Sequence, residues 1–365
     1  MTNVLIIGGG PAGSLAAILL ARRGVAVTLV EQARFPRDKV CGECLSALGV
    51  AVLTRHGLVT ELHQRGAIGL TRAMLHAPAG HSCELLLPHP MLGVSRSMLD
   101  AYLLNEARAA GANVVQPARC ESLQPTADGV LCTVRSLVDT SVHTLHADVA
   151  LLADGKGKLL DDAAPPTGDF GIKAHFTGID APPNAIELFG VNGHYGGLSA
   201  VEGNRWNSSF AVPAARLKAC GGDLDRLFAQ IVSENAVLSR RFAHAQRSGD
   251  WHCSPLPRFG VARRWPKNVI PLGNAAAAIE PIGGEGMGLA LRSAELAVTA
   301  LLSGSFDPTN LRDEYRRLWS ARRLACRAAG MVMSSPTASR WAIACVDQDS
   351  PLTPWILRWV GKMSA

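Results

Sequence analysis

The sequence predicts an α/β chain: a βαβ core carrying a parallel sheet, a second domain built on an antiparallel β-sheet, and a helical C-terminal region. Three observations predict it. An apolar, β-branched run near the N-terminus passes through a glycine cluster into an apolar helix. Between Asp169 and Pro213 the residues alternate like strands and are punctuated by Gly and Pro. After Leu311 the pattern turns basic and helical in period.

Composition narrows the class. With 365 residues, 48% of them hydrophobic, the chain is long enough for one large domain or two that share a core. The net charge of +6 comes from dispersed Lys and Arg. No basic stripe interleaved with aromatics appears, which argues against nucleic acid and suits small anionic molecules. Nine scattered cysteines, an odd number, fit a reducing compartment. Cys41 and Cys44 form "CGEC", but a second CxxC or a paired His is missing, so no metal is expected. The first 21 residues are uncharged, yet they lack a basic n-region and hold four glycines and a proline. They read as strand, turn and buried helix rather than a signal peptide or membrane span, and the expected location is cytoplasmic.

Each element of the first unit has a reason. "NVLIIG" is a buried strand, "GGGPAG" a tight turn, "SLAAILLARRG" a helix closing at Gly24, and "VAVTLVE" the next strand. Gly8, Gly10 and Gly13 stand in G-x-G-x-x-G register, with Pro11 and Ala12 between the last two. Gly8 allows the sharp turn, Gly10 lets the backbone approach a pyrophosphate, and Gly13 lets helix and strand pack closely. The helix N-terminus offers free N–H groups and a positive dipole end to phosphates. Glu31 closes the second strand, where a carboxylate can hold both ribose hydroxyls of an adenosine and repel a 2′-phosphate. A bound dinucleotide other than NADP follows.

"QARFPRDKVCGECLSALG" is too irregular for the next crossover helix and reads as a loop laid over a ligand. "SRSMLDAYLLNEARAA" is a helix that Ser95 caps and that carries Arg96 and Asp100. "HADVALLADGKGK" is a buried strand ending at Asp154-Gly155. "PLGNAAAAIEPIGGEGMGLAL" is a second Gly/Ala-rich turn ahead of a long apolar helix. Together these motifs resemble the FAD-dependent family of aromatic hydroxylases, geranylgeranyl reductases and flavin-dependent halogenases, over most of residues 1–305. "FPRDKVCGE" is most similar to the geranylgeranyl-reductase-like branch.

The resemblance implies a Rossmann-like FAD-binding domain, of glutathione-reductase type with a mixed sheet, from residues 1–70, 92–165 and 255–310. It implies a substrate domain from 71–91 and 166–254, whose sheet roofs a pocket over the flavin, and a C-terminal helical region from 311–365. FAD is the expected cofactor. Its implied contacts are Gly8, Gly10, Pro11, Ala12, Gly13, Glu31, Gln32, Lys39, Cys41, Gly42, Arg96, Asp154, Gly155, Gly273, Asn274, Ala275, Pro281, Gly283, Gly284, Gly286 and Met287. The helix from about Met287 aims its positive end at the flavin edge that becomes anionic on reduction. Two departures stand out. Asn274 replaces the usual Asp, and Lys156 and Lys158 stand where hydroxylases often carry Ser and Arg, which leaves open how NAD(P)H would dock as a transient reductant.

No side chain reads as a nucleophile or general base, which suits chemistry borne by the cofactor. Cys41, Tyr195 and His175 are the catalytic candidates; His194, Tyr195, Trp206 and Asn207 are the substrate-pocket candidates. Each has an ordinary packing alternative. "HYGGL" loosely resembles the reductases' aromatic signature but lacks its Trp and Pro. The leading expectation is a monooxygenase working through a flavin C4a-hydroperoxide with NAD(P)H as electron donor. Its substrate would be a lipophilic or aromatic small molecule such as a polyketide or isoprenoid. The alternative is a geranylgeranyl-reductase-like reductase or dehydrogenase of C=C or C–C bonds. A halogenase, or a flavin-holding electron-transfer module, is weaker. The C-terminal tail, with Trp341, Trp355 and Trp359, is read as core packing, with a substrate entrance or peripheral membrane contact as the alternative.

Overall fold

The computed structural model describes residues 3–156, 159–160, 168–257, 259–262, 265–304 and 306–345. Lys158, Trp355 and Trp359 lie outside the described residues, as does the tail beyond 345.

The chain opens with β1 (Asn3–Ile7), α1 (Pro11–Ala21) and β2 (Ala26–Val30). The irregular loop ends in β3 (Cys44–Leu45), followed by α2 (Ala47–Arg55) and α3 (Val59–Gln64). A long hairpin, β4 (Ile68–His76) and β5 (Ser82–Gly93), leads to α4 (Arg96–Ala109) and β6 (Asn113–Val115). Then come β7 (Ala118–Pro125), β8 (Val130–Ser136), β9 (Val142–Ala147) and β10 (Val149–Leu152). The roof strands are β11 (Asp169–Thr177), β12 (Ala185–Val191), β13 (His194–Val201) and β14 (Arg205–Pro213). Helices α5 (Ala214–Ala219), α6 (Leu224–Ser233) and α7 (Ala236–Arg241) precede β15 (Gln246–Pro255). Short strands β16 (Gly260–Val261), β17 (Val269–Pro271) and β18 (Ala277–Ala278) bring the chain to α8 (Gly286–Leu302), α9 (Pro308–Met333) and α10 (Pro336–Cys345).

Five strands, in the order β17-β10-β1-β2-β6, form a parallel sheet. The chain turns to opposite sides of β1 for β2 and β10, so the crevice at the carboxyl end of β1 is a topological switch point. α1 is apolar all round because it is buried all round, between this sheet, α4 and α8. The other face of the sheet is covered by β7, β8 and β9, whose Ala118, Val130, Cys132 and Val134 pack on Leu5, Ile7, Ala150 and Leu152. The sequence pattern did not announce this small sheet, whose outer face is polar.

Eight strands, in the order β15-β11-β14-β13-β12-β4-β5-β3, form the second sheet. It is mixed rather than purely antiparallel: β12 runs parallel to β4, with Ala185 opposite Arg72. Over a hundred residues separate those partners, and local alternation carries no information on the direction of so distant a pairing. The hairpin's contribution runs from 68 to 93, wider than the expected 71–91. α5 to α7 cover one face of this sheet. Phe176, Trp206, Phe210, Leu227, Phe228, Ile231 and Leu238 form the core between them. α9 buries Leu311, Tyr315, Trp319, Cys326, Gly330 and Met333 and exposes Arg316, Arg317, Arg323 and Arg327. It touches α8 and the β12 and β13 strands alike, tying the two sheets together. Among the described residues, no helix is long and apolar enough to cross a membrane.

Candidate active site

The glycines of the first turn do different work. Gly8 has φ +104, a conformation side chains rarely adopt, and a Cβ there would lie 2.4 Å from the Ala153 carbonyl oxygen. A Cβ on Gly13 would lie 1.9 Å from the Gly8 oxygen. Both positions close the β1–α1–β10 packing. Gly10 is different: its nearest neighbour would be Arg96 Nη2 at 3.7 Å, so its missing side chain leaves an open approach to the α1 N-terminus. Glu31 is buried and pinned, accepting from the Gly9 N–H at 2.7 Å and the Ala33 N–H at 2.7 Å. Each oxygen keeps a lone pair for a ribose hydroxyl.

Cations gather beside this turn. Arg96 makes a two-pronged pair with the fully buried Asp100, at 2.8 and 2.6 Å, and Arg37 reaches the same carboxylate at 3.0 Å. Lys39 sits close by; its Nζ would lie 3.2 Å from a Cβ on Gly155. Burial, then the Arg96 and Arg37 cations, pull the Lys39 ammonium down to about 8. Burial pushes the neighbouring Asp154 carboxyl up to about 6. Three cations around one aspartate leave a positive excess that a diphosphate satisfies.

The second glycine cluster is fixed from behind. Tyr315 donates to the Ser293 carbonyl at 2.9 Å, and Ser293 Oγ accepts from the Gly273 N–H at 2.9 Å. Asn274 is exposed, Ala275 half-buried, and Gly284 takes a left-handed φ of 67 after the short turn Pro281–Gly283. α8 starts at Gly286, one residue before the expected Met287, and a Cβ on Gly286 would meet open space. Gly288, by contrast, packs against Ser46 and Gly49 and seats α8 on α2. An open glycine at each of two helix N-termini, a pinned glutamate and a cationic pocket fit FAD. Gly10, Glu31, Arg96 and Lys39 would hold its adenosine and diphosphate side, and Pro281–Gly286 its ring.

Strand register explains which roof residues reach this site. One face carries the rows His175–Asn207–Ser199–Ile186, Lys173–Ser209–Gly197–Leu188 and Gly171–Ala211–Tyr195–Gly190. That face looks at the Cys41 loop. Asn207 Nδ2 donates to the Cys41 carbonyl at 3.1 Å and Ser199 Oγ to the Gly42 carbonyl at 3.1 Å. Glu43, fully buried with φ 53, is the hub beneath the loop. It accepts from the Arg96 N–H at 2.8 Å, meets His175 Nε2 at 2.6 Å, and pairs with Lys173 Nζ at 2.5 Å. Lys173 also reaches Asp38 at 2.8 Å, so the cation among Asp38, Glu43 and His175 is a side chain of the protein itself. Glu202 holds the Ser95 N–H at 3.0 Å, and a second carboxylate thereby sits at the start of α4.

The same face bounds a cavity with the loop and the second glycine turn. Val40, Ile186, Leu188, Leu256 and Ile282 make it apolar; Cys41, Tyr195 and Ser199 are its polar edge, and Pro281 and Gly284 close it. Of the pocket candidates, Tyr195 lines the cavity, and Asn207 holds the loop above it. His194 and Trp206 are corrected: side chains alternate across a strand, and both point to the α5–α7 layer. Trp206 is in the aromatic core, and His194 stacks edge-on with Phe210 and lies 3.2 Å from Arg216 Nη1. His175 is engaged with Glu43 beneath the loop rather than lining the cavity. No disulfide joins Cys41 and Cys44, and Cys41 faces the cavity. Gln32 is exposed, against Arg119.

Sequence reading missed Asp38, Glu43, Lys173 and Glu280. The signal for one was present: Lys173 is a lone lysine in the apolar run "FGIKAHF", and a fully buried lysine needs a buried acid. Glu280 accepts a short hydrogen bond from the Tyr195 hydroxyl.

Residues 1–167 match the family model described as an FAD binding domain. The chain is 27% identical over 362 residues to the menaquinone reductase of Mycolicibacterium smegmatis, covering 88% of this chain and 83% of that protein. It is 24% identical to digeranylgeranylglycerophospholipid reductase 2 of Methanopyrus kandleri, over 81% of this chain and 75% of the relative. The flavin-dependent brominase Bmp2 superposes with a TM-score of 0.82 at 19% identity, over 99% of this chain and 93% of that one, a likeness of fold.

Proposed function

For a chain that belongs to the FAD-binding-domain superfamily and is an FAD-dependent oxidoreductase, we propose the reaction of a reductase: saturation of a C=C bond in a lipophilic, isoprenoid-type chain. The observation that carries this reading is the apolar cavity roofed by the mixed sheet and closed by Cys41, Tyr195, Pro281 and Gly284. Its side chains offer dispersion and desolvation to a hydrocarbon and few partners to a polar substrate. The relatives named as menaquinone and digeranylgeranylglycerophospholipid reductases support the same choice, and the leading expectation of a monooxygenase yields to its alternative.

When bound, FAD supplies two electrons as a hydride. The chain supplies the rest. Gly10, Glu31, Lys39 and Arg96 hold the nucleotide end. Asn207 and Ser199 hold the Cys41 loop by its carbonyls, which fixes one wall of the cavity. The apolar lining excludes water and lays the chain alongside the closing turn. The nearby Lys156, bonded to Ser254 Oγ at 2.9 Å, leaves the nicotinamide donor to be chosen by experiment.

The test is a half-reaction without oxygen. Protein carrying FAD is bleached with NADH or NADPH, then mixed anaerobically with a menaquinone or a geranylgeranyl lipid. Return of the yellow colour, with a product two hydrogens heavier, is the expected result. If the colour returns only in air, with a hydroxylated product, the monooxygenase reading takes its place.

A further inference from the structure

We propose that Tyr195 is the proton donor to the substrate in the apolar cavity, and that Glu280 recharges it from a solvent-facing cleft on the far side. This rests on the reductase reading and deepens it. Tyr195 is buried, and it lines the cavity together with Cys41 and Ile282. Its hydroxyl donates to Glu280 Oε1. Glu280 in turn lines a second cavity with Phe259, Arg323, Leu324 and Arg327, and both arginines and Leu324 are exposed. The Tyr195–Glu280 pair thus lies between the two cavities.

A third residue marks the pair as built rather than incidental. Gly330 lies in the last turn of α9, buried, where alanine would favour the helix more. A Cβ there would stand 3.2 Å from Glu280 Cγ, 3.3 Å from Tyr195 Cε1 and 3.4 Å from Glu280 Cδ. The helix gives up a side chain where the two acids meet.

The step balances. A hydride from reduced FAD forms a C–H bond at one alkene carbon as the π bond breaks. The Tyr195 O–H breaks, and its proton joins the electron pair left on the adjacent carbon. The phenolate takes a proton from Glu280, which regains one from water in the cleft. Burial raises both groups: Tyr195 well above its ordinary range, further raised by Glu280, and Glu280 above the usual carboxylate value. The charged groups facing Glu280 are Asp169 of β11, which raises it, and Arg327 of α9, which lowers it, with Arg323 beside them in the cleft.

Two measurements test this. The chain has three tyrosines, so 3-fluorotyrosine labelling gives three fluorine signals, and Tyr195→Phe identifies one. Without substrate, that signal is expected to shift with pH through a step above the ordinary glutamate range, and Glu280→Gln is expected to abolish the step. In the oxygen-free half-reaction, Tyr195→Phe is expected to slow flavin reoxidation by substrate about a hundredfold, the scale of a lost general acid, while FAD content and bleaching stay unchanged. Glu280→Gln is expected to slow it about tenfold and flatten its pH profile. A wild-type rate in Tyr195→Phe, or a pH step that survives in Glu280→Gln, overturns the relay. If the native protein reduces no alkene while the fluorine step is present and lost in Glu280→Gln, the failure belongs to the choice of reaction and not to the pair.

Discussion

The two faces of the eight-stranded sheet are made from the same strands and behave as different materials. The face toward α5–α7 is packed with Phe176, Trp206, Phe210, Phe228 and Trp251, with the Glu187–Arg241–His76 cluster at one edge. The face toward the cofactor loop carries Lys173, His175, Asn207 and Ser199, all buried and all bonded to a loop whose own acids are Asp38 and Glu43. The apolar face gains stability from burial and asks little of geometry. The polar face gains little net stability but fixes position, because each buried group is costly unless its one partner is in place.

The contrast predicts different losses on each side. Lys173→Met leaves Glu43 and Asp38 without their cation; about 3–5 kcal/mol of unfolding free energy is expected to go, as for any broken buried pair. FAD retention should fall with it, because the loop bearing Lys39 and Cys41 comes loose. Urea denaturation and the flavin-to-protein absorbance ratio measure the two. Phe228→Ala, in the aromatic core, is expected to cost about 3 kcal/mol and leave a full complement of FAD. Equal flavin loss in both variants would show that the faces are not separate in function.

His194 reports on the apolar face by pH. Burial, then Arg216, holds its imidazolium down to about 4, against 6.5 for a free histidine. The folded state therefore refuses a proton that the unfolded state takes. Stability should fall as pH drops below 6.5 and level off near 4, by about 3 kcal/mol, relative to His194→Leu. A parallel pair of stability curves would remove this account of the site.

Gly10→Ala gives the smallest change in fold and a selective change in function. The new methyl would stand 3.7 Å from Arg96, an ordinary contact, so the stability change should stay under about 1 kcal/mol. FAD affinity, measured by fluorescence titration of the apoprotein, is expected to drop about tenfold because the methyl occupies the approach to the α1 N-terminus.

Much of this was legible along the chain. The strands β1 and β2, the cap at Ser95 and the start of α8 were read within a residue or so, and α1 three residues late, since glycine, proline and capping side chains act through local geometry. The alternation of β11 to β14 was legible too, and period two alone separates Trp206 from Asn207. Which of the two faces the cofactor was not, because the choice depends on what packs against the sheet. Glu43 was hidden in the same way: it is one letter in "CGEC", and its value comes from Lys173 and His175, 130 and 132 residues away.

The amino-acid order fixes the turns, the helix starts and the residues that seek burial, because those depend on neighbours a few bonds apart. Tertiary structure alone decided that β12 lies parallel to β4, that Lys173 answers Glu43, and that Tyr195 meets Glu280 across a bare stretch of α9. Those are meetings of distant segments, and their free energy exists only once both are out of water and within hydrogen-bond reach.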